Sequence, residues 1–149
     1  MPAGPLDLSV RQLVFTRTAE TGRVPDVSDI AESLAQPRAA IEDSLRRLEA
    51  GRVLVLAPGT TTIWMAHPFS AVPTDFPVDV NRRTYFGNCI WDALGIPAIL
   101  GADGVVTTRC PDCGEPLVLK VQKDRLSHSE GLIHFAVPAA RWWDNIGFT

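Results

Sequence analysis

Apolar residues in the first third of the chain recur at three- and four-residue intervals. Leu6, Val10, Leu13 and Val14 form one stripe, which predicts a helix. Gly22 and Pro25 break the pattern. Asp26, with Asp29 three residues on, then reads as the N-cap of a short second helix carrying Ile30 and Leu34. Pro37 suits the first turn of a third helix, whose buried face is Ile41, Leu45 and Leu48. Gly51 stands where a C′ glycine ends such a helix.

After Gly51 the period changes. Val53–Leu56 and Thr61–Met65 flank Ala57-Pro58-Gly59-Thr60, the pattern of a β-hairpin around a Pro-Gly turn. Three helices followed by a hairpin is the winged-helix order. Residues 67–79, broken by Pro68, Pro73 and Pro77, show no period and read as a linker, with His67 exposed in it. This predicts an N-terminal unit at 1–77 and a second unit at 78–149. In the second unit a helix is expected over Arg83–Leu94, stopped by Gly95 and Pro97. Strands are expected at Gly104–Arg109, Leu117–Val121 and Leu132–Val137, with His134 a core histidine in the last. Pro138–Trp143 predicts the start of a terminal helix. The fold class is therefore α+β.

The chain has 149 residues, 46% hydrophobic and 21% charged, which is globular rather than disordered composition. No apolar run reaches the roughly 18 to 20 residues of a membrane helix. Met1–Pro5 has neither the basic region nor the apolar core of a signal peptide, so a cytoplasmic protein without membrane partners is expected. Three cysteines is an odd count, and in that compartment they should be thiols. The net charge is −3, and the third helix balances Arg38, Arg46 and Arg47 against Glu42, Asp43 and Glu49. A nucleic-acid partner is not expected, because a DNA-reading helix needs a basic face.

Two cysteine motifs could carry chemistry. Cys89 and Asp92 stand at i and i+3 in Asn88-Cys89-Ile90-Trp91-Asp92, which on a helix puts thiol and carboxylate on one face. An ionised thiol is a nucleophile or soft-metal ligand, and the carboxylate can receive and return a proton. A buried structural cysteine beside a solvated aspartate has the same spacing. Cys110-Pro111-Asp112-Cys113-Gly114 has the shape of a metal knuckle, making Zn(II) a candidate there. Structural zinc wants four ligands; Cys89, His128 and His134 are conceivable additions, none at knuckle spacing.

Together these residues resemble the organomercurial lyase (alkylmercury lyase) family. The likeness runs through Asn88-Cys89-Ile90-Trp91-Asp92-Ala93-Leu94 into Ile96-Pro97-Ala98, then Cys110 with Gly114, then Ile133-His134-Phe135. The resemblance implies a winged-helix-like N-terminal domain beside a mixed α/β core. It makes Cys89 the thiol that takes a small organomercurial substrate, and Asp92 the carboxylate that delivers a proton to the departing carbon. Cys110 would be structural, and Cys113 an addition. Metal ligation by Cys89, Cys110 and Cys113 is thus expected, with Hg(II) as substrate-derived ligand, low-molecular-weight thiols as partners and no resident cofactor. The family's second catalytic cysteine follows a stretch like Trp142–Thr149, so the sequence reads as C-terminally truncated, with activity reduced toward mercury binding. Two other readings remain open: a winged-helix metal-sensing regulator and a zinc-knuckle interaction module.

Overall fold

The computed structural model describes residues 4–127 and 131–147. His128, one of the conceivable ligands, and the last two residues lie outside them.

Three helices come first: α1 (Pro5–Thr21), α2 (Val27–Leu34) and α3 (Arg38–Ala50). Their ends follow local chemistry. Asp26 caps α2, accepting from the Asp29 amide at 2.9 Å, while Asp29 accepts from the Asp26 amide at 3.1 Å. Gly22, at φ 77°, closes α1. At the end of α3 it is Arg52, not Gly51, that turns left-handed: Gly51 has φ −81° and Arg52 has φ 58°. Val10, Val14, Ile30, Ile41, Leu45 and Leu48 meet in one core with Leu54 and Ile63.

One buried residue in this layer is charged. Asp7 accepts from Ser44 Oγ at 2.6 Å, from the Gly4 amide at 3.0 Å and from Arg47 Nη2 at 2.8 Å. Bonding to Arg47, reinforced by Ser44 and the Gly4 amide, holds its carboxyl far below the usual carboxylate range against the opposing effect of burial.

The expected hairpin forms as β1 (Val55–Leu56) and β2 (Ile63–Ala66), and β3 (Phe69–Ser70) adds a third antiparallel strand. The stretch expected to be a linker therefore carries regular structure, β3 and the first part of β4 (Pro77–Val80). A second antiparallel sheet has the order β5-β4-β6-β7-β8, with β5 at Arg83–Phe86, β6 at Gly104–Arg109, β7 at Pro116–Gln122 and β8 at Arg125–Leu126. Helix α4 (Ile90–Leu100) packs on this sheet, and a 3-10 helix spans Ala139–Asp144. The architecture is mixed helix and sheet.

Three expectations are corrected here. Arg83–Phe86 is strand rather than helix, because Asn81 and Arg82 both adopt positive φ, 50° and 64°, and turn β4 back on itself in a two-residue loop. Helix α4 runs through Gly95 and Pro97 to Leu100. Gly104 makes room for the Pro97 ring: a Cβ there would stand 2.5 Å from Pro97 Cγ. Leu132–Val137 forms no strand, and His134 is exposed. The second core gathers Phe69, Val78, Val80, Tyr85, Ala93, Ile96 and Val106. Tyr85 joins the two layers by donating its hydroxyl to Ala19 O at 2.7 Å. Among the described residues no helix is long and apolar enough to cross a membrane.

Candidate functional site

The site forms where β5 gives way to α4. Gly87 sets the crossing, with its amide donating to Phe76 O at 3.0 Å and its carbonyl accepting from Thr74 Oγ1 at 2.6 Å. A Cβ at Gly87 would lie 2.6 Å from the Ala93 amide nitrogen, so only glycine lets the strand end touch the first turn of α4.

Cys89 is the N-cap of α4, extended at φ −145° and ψ 179°, rather than a residue inside a helix. Asp92 sits in the first turn, three residues on. The pair is close through the geometry of a helix start, not of a helix face. The Cys89 thiol is partly buried. Burial is the main force raising its pKa, and the Asp92 charge adds to it; the N–H groups of Asp92 and Trp91 pull the other way.

The Asp92 carboxylate is oriented by two side chains. Asn88 Nδ2 donates to Oδ2 at 2.9 Å, and His67 Nδ1 lies 3.4 Å from the same oxygen. Asn88 also donates to Pro68 O at 3.3 Å and approaches His67 Nδ1 at 3.3 Å. With its proton on Nδ1 the imidazole donates to Asp92; in the other tautomer Nδ1 accepts from Asn88. Among the described residues, His67 Nε2 and Asn88 Oδ1 are buried without a hydrogen-bond partner, an arrangement that costs free energy. The Trp143 ring meets the His67 ring edge-on at 6.0 Å, and the Arg52 guanidinium lies 5.5 Å from the Trp143 centroid.

His67 is thus part of the site and not an exposed linker residue. Sequence reasoning missed both its role and that of Asn88. The signal available was Asn88 standing directly before Cys89; nothing local could tie His67 to Asp92 across 25 residues.

Cys110 and Cys113 lie elsewhere, in the connection from β6 to β7. Cys113 is exposed and Cys110 half-buried. The neighbouring amides of Cys113 and Asp112, with the Cys113 thiol, favour the Cys110 thiolate and lower its pKa. Among the described residues no three His, Cys, Asp or Glu side chains gather in a geometry that could hold a metal ion.

A half-buried thiol at a helix start, beside a carboxylate held by an amide and an imidazole, is of the class of arrangement that can capture a thiophilic group and handle a proton next to it. The comparisons give that class a family. The alkylmercury lyase (MerB) family model matches residues 69–149, more than half of the chain, including Asn88, Cys89 and Asp92 but not His67, and the chain belongs to that family. The fold is similar to the mercury-bound form of MerB2, with a TM-score of 0.63 at 21% identity. That match covers 83% of this chain, which spans 58% of the MerB2 chain. No curated protein sequence matches.

Proposed function

We propose that the chain acts on a small organomercurial, capturing it at the Cys89 thiolate and delivering a proton from Asp92 to the carbon that leaves mercury. The observation behind this reading is the placement of Asp92 in the first turn of the helix that Cys89 caps, its carboxylate fixed by Asn88 and His67. Mercury is soft and prefers thiolate sulfur. When Cys89 binds it, the thiol proton is displaced beside a carboxylate that can accept it. The same carboxylate, once protonated, is a general acid next to the mercury-bound carbon. The carbon–mercury bond breaks as the carbon takes that proton, the bond pair goes to carbon, and a hydrocarbon departs. Electron density pushed through the metal by a second thiolate assists the step, and a low-molecular-weight thiol is its candidate source, because Cys110 and Cys113 lie in another part of the fold. Capture alone requires only Cys89.

The N-terminal helices serve as a winged-helix-like packing unit in this reading, not as a DNA reader. Each arginine of α3 is engaged with a carboxylate of the chain: Arg38 with Glu42, Arg46 with Asp43, and Arg47 with Asp7, each at 2.8 Å. Little cationic surface is left to release counterions from a duplex.

The test is incubation with methylmercury and excess free thiol, following methane release and mercury retention separately. Release that vanishes in Cys89→Ser and falls in Asp92→Asn supports the reading. Unchanged capture by Cys89→Ser in a chain that also carries Cys110→Ser and Cys113→Ser would remove it.

A further inference from the structure

The Cys-x-x-Cys motif is not used by the Cys89 site. Its loop is tightly pinned. Arg109 and Pro116 form the last pair of the β6–β7 ladder. Beyond them the Cys110 amide donates to Glu115 O at 2.9 Å, the Gly114 amide to Cys110 O at 2.8 Å, and Arg109 Nη1 to Gly114 O at 3.2 Å. Gly114, at φ 74°, supplies the left-handed residue that folds the turn back. The Gly114-to-Cys110 bond closes the turn around the two cysteines, and the Cys113 thiol with the amides of Asp112 and Cys113 favours the Cys110 thiolate. Cys113 is open to solvent, so an ion can enter without the fold opening.

We propose that this turn is a second, independent thiol site, binding a soft cation of the Hg(II) class through the two thiolates of Cys110 and Cys113. The donor set decides the class. Zn(II) in a structural site takes four ligands. The turn offers two, and no third His, Cys, Asp or Glu joins them in metal-holding geometry among the described residues. Two sulfurs satisfy a soft cation that accepts two-coordination. The step balances: one divalent cation replaces two thiol protons, which pass to solvent, with no change of oxidation state. Both sulfurs come from one rigid turn, so binding of the first brings the second to high effective concentration. A monothiol competitor lacks that advantage.

The site is tested in the full chain carrying Cys89→Ser, so that its outcome is separate from that of the Cys89 reading. The reduced protein is incubated with HgCl₂ and excess monothiol and desalted. Retained mercury is measured, together with native mass and the sulfur-to-mercury absorption band. One mercury per chain is expected, falling by roughly tenfold or more when either Cys110→Ser or Cys113→Ser is added, as expected for losing the second arm of a chelate. As a check that needs no further variant, prior loading should protect both thiols from iodoacetamide. Loss of retention in Cys89→Ser alone, retention that survives the double Cys110→Ser, Cys113→Ser change, or alkylation unaffected by loading would overturn the proposal. So would Zn(II) retained as firmly as Hg(II), or binding seen only as two chains sharing one ion, since both require more ligands than this turn provides.

Discussion

Replacing Asn88 with alanine should separate capture from cleavage. The side chain donates to Asp92 Oδ2 at 2.9 Å, and that carboxylate is only 17% exposed, so solvent screens the contact poorly. A hydrogen bond to a charged group contributes about 1.5–3 kcal/mol. Without it, the carboxylate keeps His67 at 3.4 Å, a longer and weaker contact, and gains freedom to rotate away from the sulfur. If the whole of that energy serves to hold the carboxylate where the proton is needed, protonolysis slows by about 10- to 100-fold. The Cys89 sulfur does not bond Asn88, so mercury capture should be nearly unchanged. The assay is single-turnover methane release from methylmercury in excess thiol, beside the mercury retained after desalting. Release at the parent rate would refute the positioning role. A parallel fall in capture and release would also refute it, assigning Asn88 to the fold of the α4 start.

Cys89 should alkylate more slowly at neutral pH than a free cysteine, with its inflection shifted to higher pH, because burial and Asp92 oppose ionisation; Asp92→Asn should move that inflection down, as measured by iodoacetamide kinetics in the Cys110→Ser, Cys113→Ser background. Gly87→Ala should destabilise the protein by about 1–3 kcal/mol in chemical denaturation and impair capture, since the new methyl group meets the Ala93 backbone. Asp7→Asn should cost about 2–3 kcal/mol at neutral pH, read from urea midpoints. Because the folded pKa of Asp7 is depressed, its contribution is fully present above the unfolded value of about 3.9 and is lost as pH falls toward the folded one. The difference between parent and variant should therefore shrink with acid, and a constant difference would contradict the assignment.

What the sequence revealed was what local chemistry decides. The stripes of α1 and α3, the Asp26 cap, the Pro-Gly hairpin and the strands at Gly104–Arg109 and Leu117–Val121 all stand on periodicity or a turn residue. The errors lie where tertiary contact overrides a local rule. Asn81-Arg82 makes a tight reversal without the glycine that normally signals one, so β5 looked like the first half of a helix. Pro97 ends most helices, but Gly104 on the neighbouring strand leaves space for its ring. Asp7 pairs with Arg47 across 40 residues and is buried by that pairing, which no window of sequence contains. The same limit hid His67. Cys89 and Asp92 were legible as a pair, yet for an approximate reason: they meet at a cap and first turn, where the N–H groups of Trp91 and Asp92 also favour the thiolate.

If Cys89 takes mercury as proposed, that cap geometry bears on how a thiol with a raised pKa can serve as the ligand. Burial keeps Cys89 protonated at rest, which limits its reaction with ordinary electrophiles and oxidants. A soft cation changes the balance. Once the metal shares the sulfur, its positive charge replaces the proton, and the repulsion between thiolate and Asp92 is relieved. The displaced proton then has an acceptor in the first turn of the same helix. The N–H groups at the start of α4 favour the sulfur's remaining negative charge without giving up their own protons. On the proposed reading selectivity would come from the resting state: the groups that disfavour a free thiolate do not disfavour a metal-bound one. The carboxylate that opposes ionisation would then hold the displaced proton close to the carbon that must receive it. A site with a lysine in place of Asp92 would have a more reactive thiol and no returnable proton of suitable acidity. Asp92→Lys should accordingly speed alkylation of Cys89 by iodoacetamide while abolishing methane release, and release retained in that variant would show that the proton comes from another group.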